Sequence, residues 1–169
     1  MMERYNTFSG RFWAGFIDGL ILLPIGFLDY YFLTPDRNIG LVLIWILISY
    51  SSFFLYSIYF HWKTGQTIGK KAMNVKVIDV SERKGLTLKQ AFLRDSIYIV
   101  LQVIGMILIF INILRIGSYT ESGMEPYNTY LIYLSLIWFL VEIITMFTNE
   151  KRRAFHDMIA DTVVINTKE

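Results

Sequence analysis

Two acids pose the chemical question in this sequence. Asp18 stands in "RFWAGFIDGLILLP" (residues 11–24), seven residues after Arg11, and Glu142 stands in "IWFLVEIITMF" (residues 137–147). An unpaired acid among residues suited to lipid costs about 2.5–3.5 kcal/mol, so each needs a reason to be there. Desolvation and a neighbouring carboxylate both favour the protonated form of an acid, and a pair of acids can alternate between a proton and a cation. Placed together, Asp18 and Glu142 would suit proton-coupled ion exchange. The competing role is packing, with polar side chains hydrogen-bonded across helices.

Helical spacing supports a meeting of polar residues. A step of seven returns to nearly the same helix face, so Arg11, Asp18 and Asp29 share one stripe. Ser135, Glu142 and Asn149 share another, with Thr145 alongside; Asp95 and Gln102 align; Ser49, Ser52, Tyr56 and Tyr59 step by three and four. Asp18 lies about 9 Å past Phe12 along its helix, and Glu142 lies equally far before Thr148, so both are expected at similar depth. Gln102 and Ser52 would complete the shell of an ion pathway, and Arg11 would tune Asp18. Gly15 and Gly19 flank the acid in a GxxxG step that permits close helix approach.

The elements that must position these residues are membrane spans. Of 169 residues 54% are hydrophobic and 17% aromatic. Four apolar stretches, 12–33, 39–60, 96–114 and 130–148, are each long enough to cross a hydrocarbon core of about 30 Å. In lipid the backbone must bond internally, which makes them helices. The fold class expected is an all-α membrane protein, a four-helix bundle forming one domain over 1–169. The first stretch contains Asp18 and Asp29 and lacks a small-residue cleavage site, so it reads as a retained span.

Charge sets the expected orientation. Lys and Arg number two up to Arg11, eight in the 61–95 loop and four in the 149–169 tail, against one in each of the opposite turns. By the positive-inside rule both termini and the 61–95 loop are cytoplasmic. The loop and tail form a basic face, including Lys70, Lys71, Arg152 and Arg153, suited to anionic inner-leaflet lipids. Basic residues held so close to a bilayer make nucleic acid an improbable partner.

The loop and tail carry local order as well. "NVKVIDV" and "TVVIN" alternate like short strands that can pair as a small sheet, and Thr87 with Gln90 forms a capping box. "GQTIGKK" superficially suggests a phosphate loop, but it has three residues between its glycines instead of four, and Lys71 where Ser or Thr would reach magnesium. His156 beside Asp157 lacks the spacing of a metal site. No cofactor is expected, and no nucleophile–base pair points to an enzyme.

Taken together, "RFWAGFIDGLIL", "TGQTIGKKAMNVKVID" and "RRAFHDMIADTVVI" resemble the RDD family of small bacterial membrane proteins, over roughly residues 8–166. The resemblance makes Arg11 and Asp18 the signature arginine and first aspartate. Asp157 is then the second aspartate, with Asp95 in "LRDS" the alternative. It implies a multi-pass protein of the bacterial cell membrane, with transport of an unspecified ligand as its role. Glu142 lies outside the family pattern. The function expected is a small transporter, most concretely a monovalent cation/proton exchanger. The alternative is an anchor or assembly factor recruiting a partner through its basic face. A chain of this size could serve either role singly or as a homo-oligomer.

Overall fold

The computed structural model describes residues 2–119 and 125–167, so the 115–129 loop and the 149–169 tail extend partly outside the described residues. After a 3-10 turn at Met2–Tyr5 the order is α1 (Phe8–Phe32), α2 (Ile39–Thr64), α3 (Ile68–Ala72), β1 (Val75–Asp79), α4 (Leu88–Ile116), α5 (Glu125–Phe147), α6 (Phe155–Ile159) and β2 (Thr162–Asn166). Four helices are long and apolar enough to cross a membrane, and they are the four expected. Their outer faces display large apolar side chains such as Phe16, Ile44, Phe110 and Ile137, an arrangement suited to acyl chains.

The helices run past the apolar stretches at the sheet-bearing end. α4 begins at Leu88, eight residues ahead of its expected span, because the Thr87–Gln90 capping box starts the helix there. In that box Gln90 N donates to Thr87 Oγ1 at 3.2 Å, and Thr87 N donates to Gln90 Oε1 at 3.0 Å. α2 continues to Thr64 and stops at Gly65, which adopts φ 73°. A side chain there would bring its Cβ within 2.4 Å of the Val77 carbonyl, so position 65 needs glycine for both conformation and space.

Within the bundle α1 packs on α2, α2 on α4, and α4 on α5. α1 and α5 touch through Phe8 and Phe147, 5.4 Å apart, but do not pack along their lengths. One apolar core, Val42, Ile46, Ile109 and Ile113, joins α2 to α4. The two strands pair antiparallel, Val75 opposite Asn166 through Asp79 opposite Thr162, as the alternating patterns predict. Val75, Val77 and Val164 turn inward with Leu86 onto Ala14 of α1, a second core that fixes the sheet against the bundle. A Cβ on Gly10 would lie 2.7 Å from Val75 Cγ1, so the start of α1 is in close contact with β1. The glycines of the GxxxG step face open space, with no atom within 4 Å of a built Cβ. Close approach to α1 is made by Gly69 instead.

Candidate functional site

The sheet-bearing end gathers most of the ionisable residues singled out in the sequence, but in separate clusters. Asp157 is the centre of the first. It is fully buried in α6, where its Oδ2 accepts from Ala154 N at 3.0 Å, closing the short helix's first turn. The same oxygen accepts from Arg11 Nη1 at 2.5 Å, while Oδ1 accepts from Arg94 Nη1 and from Thr162 Oγ1. One carboxylate therefore ties α1, α4, α6 and β2 together. Burial raises the pKa of this acid, but the guanidinium groups of Arg11 and Arg94 outweigh burial and hold it well below the ordinary carboxylate range. Arg11 also donates to Arg152 O at 3.1 Å and to Thr7 Oγ1 at 3.0 Å. It pairs with Asp157 rather than tuning Asp18.

Asp18 occupies a different setting. Its Oδ1 accepts from Tyr56 O–H at 2.7 Å and from Gly69 N–H at 2.8 Å, and its Oδ2 accepts from Thr67 O–H at 2.6 Å. Thr67 caps α3, so the carboxylate sits at that helix's first turn, where free amides and the helix dipole favour negative charge. This explains "GQTIGKK": the loop receives the protein's own carboxylate. Position 69 must be glycine, since a Cβ would fall 2.1 Å from Ala14 O and 2.9 Å from Asp18 Cγ. Asp18 is 4% exposed and does not line the cavity described below.

Glu142 lies on α5 and meets His156, whose Nδ1 is 2.6 Å from Oε1 and 2.5 Å from Oε2. The other ring nitrogen is 3.4 Å from Asp157 Oδ1, so the imidazole bridges Glu142 to the Asp157 cluster. Asp18 and Glu142 bond to different groups and share no partner. Asp95 faces a third setting: its Oδ2 is 4.0 Å from His61 Nδ1, which also meets Ser57 Oγ at 3.1 Å. Asp95 Oδ2 and His61 Nε2 are buried without a hydrogen-bond partner among the described residues.

A cavity of about 300 Å³ opens where α1 and α5 separate. Its polar wall is Arg11, Lys70, Arg94, Tyr98, Glu142 and His156, and its apolar wall includes Phe12 and Gly15 of α1 and Phe139 and Ile143 of α5. Burial, then the positive charge of Arg94, lowers the Lys70 ammonium to about 8. A second cavity of about 400 Å³ lies among α2, α4 and α5, lined by Ser49, Gln102 and Ser135. Tyr98 contributes to both. The predicted pathway residues are thus divided: Glu142 in the first cavity, Gln102 in the second, and Ser52 bonded to Ser49 O at 2.7 Å.

The basic face is divided too. Lys71 is exposed. Arg152 donates to Asn6 Oδ1 at 3.1 Å, and Arg153 donates to Thr162 O at 2.9 Å and Asp157 O at 3.0 Å, so both help to hold the fold. Asp29, in the stripe with Arg11 and Asp18, accepts from Trp45 Nε1 at 2.7 Å. Neither the place of Arg94 on Asp157 nor the bond between His156 and Glu142 follows from helical period or motif spacing. The signals present were the charged pairs "RD" and "HD", each placing a base beside an acid.

The model of the RDD family matches residues 5–161, nearly the whole chain. The chain belongs to the RDD family. Neither a curated protein nor a solved structure matches it. The matched region of this RDD protein contains Arg11, Asp18, Arg94, Asp95 and Asp157, so all the signature candidates read from the sequence fall within it. In this RDD protein the arginine and Asp157 form one buried cluster, and Asp18 forms another with Tyr56, Thr67 and Gly69.

Proposed function

We propose that this RDD protein is a small membrane transporter that couples ligand movement to proton uptake. Glu142 and His156 form the proton-carrying pair, and the cavity between α1 and α5 is the loading site. The observation that carries this reading is the setting of Glu142. It is an acid of a membrane-spanning helix that borders a cavity and is bonded to an imidazole, the side chain suited to proton exchange near neutral pH. We read the sheet-bearing end as cytoplasmic, since thirteen of the fifteen described Lys and Arg residues belong to it, and the membrane as the bacterial cell membrane.

A monovalent cation/proton exchanger needs acids free to take the ion. Both acids have both oxygens engaged, Glu142 with an imidazole and Asp18 with a phenol, a hydroxyl and a backbone amide. Arg11, Lys70 and Arg94 stand in the same wall and repel a metal cation, so an anionic ligand suits the lining better than sodium or potassium. The recruiting-anchor reading is weaker, because Arg152 and Arg153 are engaged within the chain. No covalent step is invoked, and the protein is read as a carrier rather than an enzyme.

Proteoliposomes holding a pH dye test the proposal. Pulses of sodium, potassium and a short-chain anionic amphiphile, matched to the polar and apolar walls, are applied across the bilayer. Wild-type protein is expected to give an amphiphile-driven pH change that Glu142→Gln abolishes and Asp18→Asn, where folded, retains. Absence of a pH change under every gradient overturns transport. A signal that survives Glu142→Gln overturns the assigned pair.

A further inference from the structure

The cavity between α1 and α5 has two unlike walls and a lysine, Lys70, that no carboxylate among the described residues contacts directly. Arg11 and Arg94 share the single carboxylate of Asp157, and Glu142 is bonded to His156. Lys70 lines the same cavity and makes no ion pair among the described residues. Among the charged side chains that line the cavity, three are cations, Arg11, Lys70 and Arg94, and one is a carboxylate, Glu142, while Asp157, Asp18 and Asp95 stand near them without lining it. Such a wall favours an anion. The opposite side of the opening is apolar: Phe12 is 55% and Phe139 48% exposed, both on helices whose outer faces suit lipid. A ligand that satisfies both walls carries an anionic head and a hydrocarbon tail.

We propose that this cavity receives the phosphate head of one anionic membrane lipid, which enters sideways between α1 and α5 with Lys70 as its principal charge contact. The assignment rests on reading the cavity as a loading site, and it names the class of ligand loaded. At about 300 Å³ the cavity is at the small end of ligand sites, which suits a head group while the acyl chains stay outside along α1 and α5. Charge complementarity selects the head, and the separation of α1 from α5 beyond the Phe8–Phe147 contact supplies the lateral way in. Lys71, the next residue on α3, is exposed and provides an internal control for mere attraction to the membrane surface.

Native mass spectrometry of the purified full-length protein, titrated with phosphatidylglycerol or phosphatidylcholine, tests the site. Wild-type protein should hold phosphatidylglycerol about tenfold more tightly, the ratio expected for one added charge-assisted contact. Lys70→Gln should erase that preference, and Lys70→Arg and Lys71→Gln should keep it. Thermal unfolding of each variant checks that the fold is retained, and rescue by Lys70→Arg separates charge from folding. Equal retention of the two lipids by wild type overturns the proposal, as does a preference that survives Lys70→Gln. Displacement of the lipid by inorganic phosphate at equal concentration also overturns it, because the site would then serve a free anion. Binding is read without flux: lipid preference with no proton coupling removes the transporter reading and leaves the site, and the converse result removes the site alone.

Discussion

Asp18 and Glu142 belong to the same end of the bundle and are both buried, yet their surroundings differ in kind. Asp18 is enclosed by a phenol, a hydroxyl and a backbone amide from α2, the 65–67 connection and α3. Glu142 borders a cavity and faces an imidazole. The first set of partners is fixed by backbone geometry and a required glycine, so it suits a carboxylate whose task is to hold helices in place. The second partner is titratable and adjoins open volume, so it suits an acid that changes state. Similar depth and the same residue chemistry do not imply the same work; the donors around each acid decide it.

This contrast can be broken most severely at the junction that both settings depend on. Asp157→Asn should destabilise the protein by about 3–5 kcal/mol, since it strands the guanidiniums of Arg11 and Arg94 in a buried site. Thermal unfolding in detergent measures the loss. The same group sets an acid limit. Its pKa is depressed in the folded state, so its contribution is complete above the unfolded carboxylate value of about 3.9 and disappears as pH falls through the lower folded value. An acid titration of stability should therefore lose part of its low-pH slope in Asp157→Asn.

Next in size is the Asp18 setting. Gly69→Ala should cost about 1–3 kcal/mol or more, because backbone oxygen Ala14 O, 2.1 Å from the new Cβ, cannot move aside cheaply. Asp18→Asn should cost about 1–3 kcal/mol, as an amide presents one donor group to a site built of donors. Both are read from melting curves. Lys71→Gln, on an exposed side chain, should stay within about 0.5 kcal/mol of wild type and gives the baseline for the series. If Asp18→Asn were as mild as Lys71→Gln, the structural role given to Asp18 would fail.

Much of the architecture was legible because its signals are local. Four long apolar stretches fix the spans, alternation in "VKVID" and "TVVIN" fixes the strands, and Thr87 with Gln90 marks the start of α4. The polar stripes also located the right helix faces: Asp18, Asp29, Tyr56 and Glu142 all find polar partners. The partners themselves were not legible. Arg11 and Asp157 are 146 residues apart, Asp18 and Gly69 51, and Arg94 and Asp157 63, and helical period says nothing about which distant turn folds back onto a stripe. Pairing Asp18 with Glu142 by depth overlooked the 61–95 loop, whose α3 reaches α1 first and occupies the acid. The resemblance made Asp157 the second signature aspartate, with Asp95 the alternative, but nothing in helical spacing paired either of them with Arg11, which was expected beside Asp18.

The account turns on which acid is open to exchange. Labelling by a hydrophobic carbodiimide, which reacts with protonated carboxyl groups reachable from the bilayer, followed by peptide mass spectrometry, puts that to the test in one measurement. Modification should fall on Glu142, decline as pH rises, and spare Asp18 in the folded protein. Modification of Asp18 with Glu142 left untouched would contradict the division of roles between them.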